Sequence, residues 1–390
     1  MKSNCVFTSA SHVSQSQRVV EDVGDSGAPE MTRQGRGGLN EQRSQGTPRG
    51  RFSRSMWTMG MGMILVHAAK LQTPDGATDN EPVANADGVA RINAAALGWT
   101  ARVPPAPLAS VTSRQFQSMC GSPLPKIFAD GELPPWITIL SGEAVDALGV
   151  PPSSFDGRTA WPHCAPIIGH VRNQGPCGDC WAFGGTQMMQ DRFCIATGNN
   201  ASSQLLSVED VIACMDLFIG TPGQGCAGGD PINTYYYLSH EGIVSGGDFG
   251  DKAGDTCLPY LVPPTLVDTV PTPQCVGQNK TYNHPTCVSN YKTPNSTCDA
   301  ACAYAADKRV ASTFTCPGGV AGVKCIQAGL MSGSGATSMV VFGDIWSYKE
   351  GLYSCGNRTG GSGHAVVLIG WGTDANGTDY WTVKSERDFP

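Results

Sequence analysis

Basic charge is scarce in this chain: 26 Lys and Arg stand against 33 Asp and Glu in 390 residues, a net charge of −7. A nucleic-acid backbone or an anionic bilayer is gripped by excess positive charge, so the balance gives no reason to expect either partner. Long apolar runs are missing too, and no stretch reaches the ~18 residues of a membrane-spanning helix. Charge of either sign is thin, at 15% of residues, against about 25% in average globular chains. There is no internal repeat and no His-His pair, and the first 150 residues hold only two of the 16 cysteines.

What is present is cysteine beyond residue 150, where the other 14 lie, together with 49 glycines and 27 prolines that imply much irregular backbone. Cysteine at this density suits a disulfide-forming compartment better than a reducing one. Five Asn-x-Ser/Thr sequons, at Asn200, Asn279, Asn295, Asn357 and Asn376, agree with a secretory route, lysosomal or extracellular. The only leader-like segment is "MWTMGMGMILVHAAK" from Met56, an apolar run followed by small residues. Residues 1–55, rich in Arg, Gln, Ser and Gly without periodicity, are expected to be a disordered extension or a misassigned start, with 56–69 as the leader.

Residues 70–150 read as a separate segment, rich in Ala, Pro and Gly, whose helix-capable pieces "DGVARINAAALGW" and "SVTSRQFQSMC" are too thin for an independent core. Near Pro151 the texture changes and runs long enough for buried elements begin. "WAFGGTQMMQDRFCIATG" carries apolar residues at helical spacing and ends at Gly198, which predicts a helix that starts at Cys180. "HAVVLIGWG" and "DYWTV" predict a hairpin of buried strands. Helices lead and strands follow, so the fold class is α+β.

The chemistry concentrates in "NQGPCGDCWAFGG", residues 173–185. Read alone, Cys177 and Cys180 leave two possibilities, a structural pair (a disulfide or half a metal site) or a nucleophile. A thiol attacks carbonyl carbon as thiolate, and a helix N-terminus or an imidazolium brings ionisation within reach. The predicted helix supplies the first, and His364, opening a buried strand in "GGSGHAVVLIGWG", is the best source of the second. Gln174 carries an amide that would join the Cys180 backbone N–H in holding an oxyanion. His163, His170 and His240 have no comparable setting and read as surface or packing residues.

With these residues in place the chain resembles the papain family of cysteine peptidases, and within it the cathepsin B branch. "QGPCGDCWAF" matches the Cys-Gly-Ser/Ala-Cys-Trp/Tyr signature with Asp179 at the Ser/Ala place. "SSFDGRTAWPHC" resembles the branch's mature start, "GQGCAGGDP" its substrate-binding turn, and "GWTARV" with "RQFQSMCGSPL" its inhibitory propeptide. The resemblance implies a two-lobed α+β peptidase, with a helical left lobe and a barrel-like right lobe, over 151–390 and incomplete at its C-terminal end. Residues 70–150 would be the propeptide, the chain's own inhibitor. It implies an endopeptidase, stored as a zymogen, that cleaves protein or peptide substrates through a thiolate and an acyl-enzyme and needs no metal or cofactor. Cys180 would be nucleophile, His364 base and acid, and Gln174 the oxyanion donor. Gly228 and Gly229 would pair with substrate backbone, and Trp371 would flank the primed side. The implied disulfides are Cys164–Cys194, Cys177–Cys226, Cys214–Cys298, Cys257–Cys302 and Cys275–Cys287. Cys316–Cys325 is a further short loop that the spacing allows.

Three departures stand out. The family's asparagine, which orients the imidazole, is expected after "YWTVK", and Ser385 stands in its place within "SERDFP". A shift of reading frame after Val383 would produce such a change, and a genuine end there would leave a pseudopeptidase acting as a disulfide-scaffolded binding protein. His284 is the only histidine of the long cysteine-rich insertion, so the paired histidines of a dipeptidyl exopeptidase are missing. Asp179 puts a carboxylate beside the nucleophile, and that opposes the thiolate if it faces the cleft.

Overall fold

A computed structural model describes residues 80–123, 138–198, 205–215, 225–240, 243, 245–251, 256, 258–264, 314–316, 319–354 and 361–386. The elements that position the site are α1 (Ala86–Ala94), β1 (Trp99–Ala101), α2 (Ser113–Met119), β2 (Phe155–Asp156), α3 (Cys180–Thr197), α4 (Val208–Cys214), α5 (Pro231–His240), α6 (Gly319–Leu330), β3 (Gly335–Val341), β4 (Tyr348–Gly351), β5 (Ser362–Thr373) and β6 (Asp379–Lys384). The arrangement is α+β, as the order of patterns predicts.

α3 is the central helix. It begins directly after Asp179 and stops where Gly198 turns into the left-handed region at φ 67°, a conformation that glycine reaches without a Cβ penalty. Nearly its whole length is buried, which is why its sequence has no clean polar stripe. On one side Trp181 and Phe183 pack with α4 and α5 residues, including Val208, Val211, Tyr237 and Leu238, and with Tyr260. On another, Met188 and Cys194 meet Ala336 of β3 and Val367 and Ile369 of β5. The approach to β5 is close because Gly184 has no side chain: a Cβ there would lie 3.4 Å from that of Ala365.

β5 is the spine of the sheet. β6 pairs antiparallel along one edge, while β3 and β2 share the other, with Met339 opposite His364 and Phe155 opposite Trp371. Residues 363–372 are all buried, since both faces of β5 are covered, and this accounts for an almost unbroken apolar run. A register shift between Thr382 and Val383 interrupts the β5–β6 ladder just before its end.

Among the described residues, 80–123 build their apolar cluster on the domain rather than on themselves. Phe116, Met119, Val111 and Ala84 pack against Met339, Val341, Ile345 and Trp346, and β1 pairs with β4. α2 is fixed by a capping box, in which the Thr112 hydroxyl accepts from the Gln115 backbone and the Gln115 side chain accepts from the Thr112 N–H. Disulfides join Cys164 to Cys194, Cys177 to Cys226 and Cys316 to Cys325. The extension 1–55, the leader stretch 56–69, Cys257, Cys275, Cys287, Cys298, Cys302 and His284 lie outside the described residues, as do the side chains of Cys214 and His240. No helix among the described residues is long and apolar enough to cross a membrane.

Candidate active site

Cys180 is the first residue of α3, fully buried and outside any disulfide. The backbone N–H of Ala365 points at its Sγ at 3.5 Å, and the N–H of Gly121 reaches the same sulfur. Ala365 follows His364, so the strand that brings the imidazole also brings a donor to the thiol. Burial above all, and next the Glu386 carboxylate, push the Cys180 thiol well above its ordinary value.

His364 is 3% exposed. Its Nε2 stands 3.1 Å from Ser385 Oγ and 3.1 Å from Glu386 Oε1. Ser385 therefore occupies the position the sequence order assigns to it, but it shares the ring nitrogen with a carboxylate that sequence reading missed. Glu386 is wholly buried, and its carbonyl accepts from the Gln174 N–H at 3.1 Å. The only sequence signal for it is an acidic residue next to Ser385.

Gln174 is also fully buried, and its side-chain amide donates to the Met119 carbonyl at 3.0 Å and to the Cys177 carbonyl. The Cys177–Cys226 disulfide and the bond from Gly178 N–H to the Cys226 carbonyl, 3.1 Å, draw the 225–229 turn to the front of α3. Gly229 there donates its N–H to the Gly121 carbonyl at 2.7 Å. On the opposite side the Ser122 N–H donates to the Gly363 carbonyl at 3.2 Å, and Ser122 and Ser338 hydroxyls meet at 2.6 Å. Met119 to Ser122 thus form a strap between the two walls, bonded to both by main-chain groups.

Asp179 faces neither the cleft nor solvent. It is buried, with Oδ2 2.8 Å from the Tyr260 hydroxyl, which lies equally close to the Gln174 carbonyl. Nearby Glu209 is pushed up to about 8, chiefly by burial and further by the Asp179 charge. Trp371 is 4% exposed in a packing cluster: it stacks on Phe155 at 5.0 Å, meets Trp381 edge-on, and donates to the Pro152 carbonyl. His163 is exposed, and His170 pairs with Asp248 at 2.7 Å. Asn376 lies exposed in the turn between β5 and β6.

Thiol, imidazole and carboxylate are also metal ligands, and Cys180, His364 and Glu386 present such atoms within 4.8 Å of one another. The surroundings separate the two uses. Backbone N–H groups from Gly121 and Ala365 converge on the sulfur, and such donors suit a developing anion rather than a cation. The other grouping of this kind among the described residues, His163 with Cys164 and Cys194, is spent in a disulfide.

Comparison with known proteins agrees with this geometry. The chain is 40% identical over 239 residues to cathepsin B-like cysteine proteinase 4 of Caenorhabditis elegans, covering 60% of this chain and 66% of that protein. It is 35% identical over 260 residues to cathepsin B-like cysteine proteinase 5 of the same organism, covering 63% and 68%. The matches thus span about two thirds of these relatives' lengths. Among solved structures, proCathepsin B S9 from Trypanosoma congolense shares the fold at a TM-score of 0.52 and 22% identity, over 78% of this chain and 88% of that one. The papain family cysteine protease profile matches residues 151–386, and the chain belongs to that family.

Proposed function

We propose that this chain is the latent form of a cysteine endopeptidase in which Cys180 is the nucleophile. The observation that carries the reading is the strap itself: the chain leaving α2, from Met119 to Ser122, lies against Cys180, with the Met119 carbonyl on the Gln174 amide and the Gly121 carbonyl on the Gly229 N–H. A substrate peptide would take the same donors. Cys180 Sγ would attack its carbonyl carbon, the oxyanion would be held by the Gln174 amide and the Cys180 N–H, and His364 would pass the thiol proton to the leaving amine. Water, deprotonated by His364, then releases the acyl group and restores the thiol. Nε2 is engaged by Ser385 and Glu386, so proton exchange with the thiol runs through Nδ1.

Residues 70–150 act as the inhibitor in this reading, because substrate and strap compete for one set of donors. The three disulfides among the described residues support maturation in an oxidising compartment, lysosomal or extracellular. One observation favours the second reading, a binding protein without turnover: serine stands where the resemblance places asparagine, and the carboxylate of the glutamate beside it opposes a thiolate.

The test is alkylation by a thiol-directed epoxide, located by mass spectrometry, before and after acid treatment that frees the strap. We expect one adduct, at Cys180, after acid treatment only. The Cys180→Ala variant should lose all peptide turnover and keep its melting temperature. Turnover retained in that variant would remove the assignment, and a folded, processed wild type that resists the epoxide would favour the binding protein.

A further inference from the structure

His364 has two partners on one nitrogen, and they differ in kind. Ser385 offers a neutral hydroxyl 3.1 Å from Nε2, and Glu386 a carboxylate oxygen at the same distance. Both groups are held in place by their neighbours. Lys384 Nζ is tied to Asp191 of α3 at 2.8 and 2.9 Å, and the Glu386 carbonyl is tied to the Gln174 N–H. Glu386 is wholly buried, which is costly for a carboxylate unless a charge answers it. His364 is the ion-pair partner that the fold presents to it.

We infer that Glu386 is the anionic partner of His364, a positioning residue that retains the imidazole proton while Ser385 fixes the ring plane. The inference rests on the peptidase reading above. It replaces one neutral asparagine by a division of labour between two side chains. The groups that bear on the imidazole are the Cys180 thiol from α3, Glu386 from the C-terminal segment and, through its effect at Cys180, the Cys120 thiol of the strap. Lys384 and Asp191 answer each other, and Gln174, Ser338 and Met339 are uncharged.

A carboxylate beside the ring favours imidazolium and disfavours the thiolate. Both ionisations that bound the reactive Cys-His pair are therefore displaced to higher pH by Glu386, and removing its charge shifts the whole window down. A residue that merely supports the fold would lower the height of the profile and leave its limbs in place.

The experiment is the pH dependence of iodoacetamide alkylation at Cys180 in the acid-treated full chain, for the wild type and for Glu386→Gln, Glu386→Asp and Ser385→Ala. In Glu386→Gln both limbs should fall by about one pH unit or more. Glu386→Asp should keep most of the wild-type position, and Ser385→Ala should slow alkylation without moving the alkaline limb. An alkaline limb unmoved in folded Glu386→Gln overturns the inference while leaving the nucleophile assigned. If Glu386→Gln does not fold, an alkaline limb that moves in Ser385→Ala overturns the inference equally, and one that keeps its place in both Ser385→Ala and Glu386→Asp supports it. No alkylation of Cys180 in the wild type would overturn both this inference and the peptidase reading.

Discussion

At position 121 a hydrogen atom is the only side chain that fits. A Cβ built there would lie 1.6 Å from the Gly178 carbonyl oxygen, and one built on Gly228, at φ 109°, would meet the Gly121 carbonyl at 2.8 Å. Glycine on both sides is what lets the strap press its main chain against the front of α3. Gly121→Ala must lift the strap, an overpacking cost of roughly 1–3 kcal/mol. Alkylation of Cys180 in the full chain without acid treatment should then accelerate about tenfold, with the Gly142→Ala variant, where a Cβ meets nothing within 4 Å, as the unchanged control. Sequence reading singles out Cys180, His364 and Gln174, which the fold brings to one place, because each sits in a short motif that carries its own chemistry. It missed the place of Asp179, whose partner Tyr260 is 81 residues away, and nothing local in "CGDCW" foretells a buried hydroxyl.

Among the elements, α3 and β5 were legible because their patterns are long: an 18-residue helix with a glycine stop and a 12-residue buried strand. The end of β6 was not. Its ladder carries a register shift, and its last residue is anchored to α3 through the buried pair between Lys384 and Asp191, where the Ser334 hydroxyl also donates to Asp191. Burial pushes Asp191 up and Lys384 down, and each is drawn back toward its charged form by the other. Replacing one partner leaves the other charge uncompensated. Lys384→Met should cost about 3–5 kcal/mol of stability, and adding Asp191→Leu should recover most of it, as read from urea midpoints. Because Lys384 directly precedes Ser385 and Glu386, the single variant should also slow alkylation at Cys180, and the double variant should not restore that rate fully.

For the whole molecule the buried acid Glu209 sets a pH preference. Its folded-state value, about 8, lies above the ordinary 4.5, so the folded form binds a proton that the unfolded chain has released over that interval. Its stabilising contribution is complete below pH 4.5 and is lost as pH rises toward 8. Melting temperature should therefore decline across that window, and Glu209→Gln should flatten the decline; a slope unchanged by the substitution would assign it elsewhere. Glu209's share of the stability is therefore intact under the acid treatment expected to free the cleft. The strap has a further consequence. Because Met119 to Ser122 are joined by continuous chain to the domain they lie against, they act at an effective concentration that the connection sets and that does not depend on how dilute the chain is. Dilution of the intact chain cannot release them. A single cut between Ser122 and Pro151 alters no contact in the cleft, yet it turns a concentration-independent block into a bimolecular one that disperses with volume.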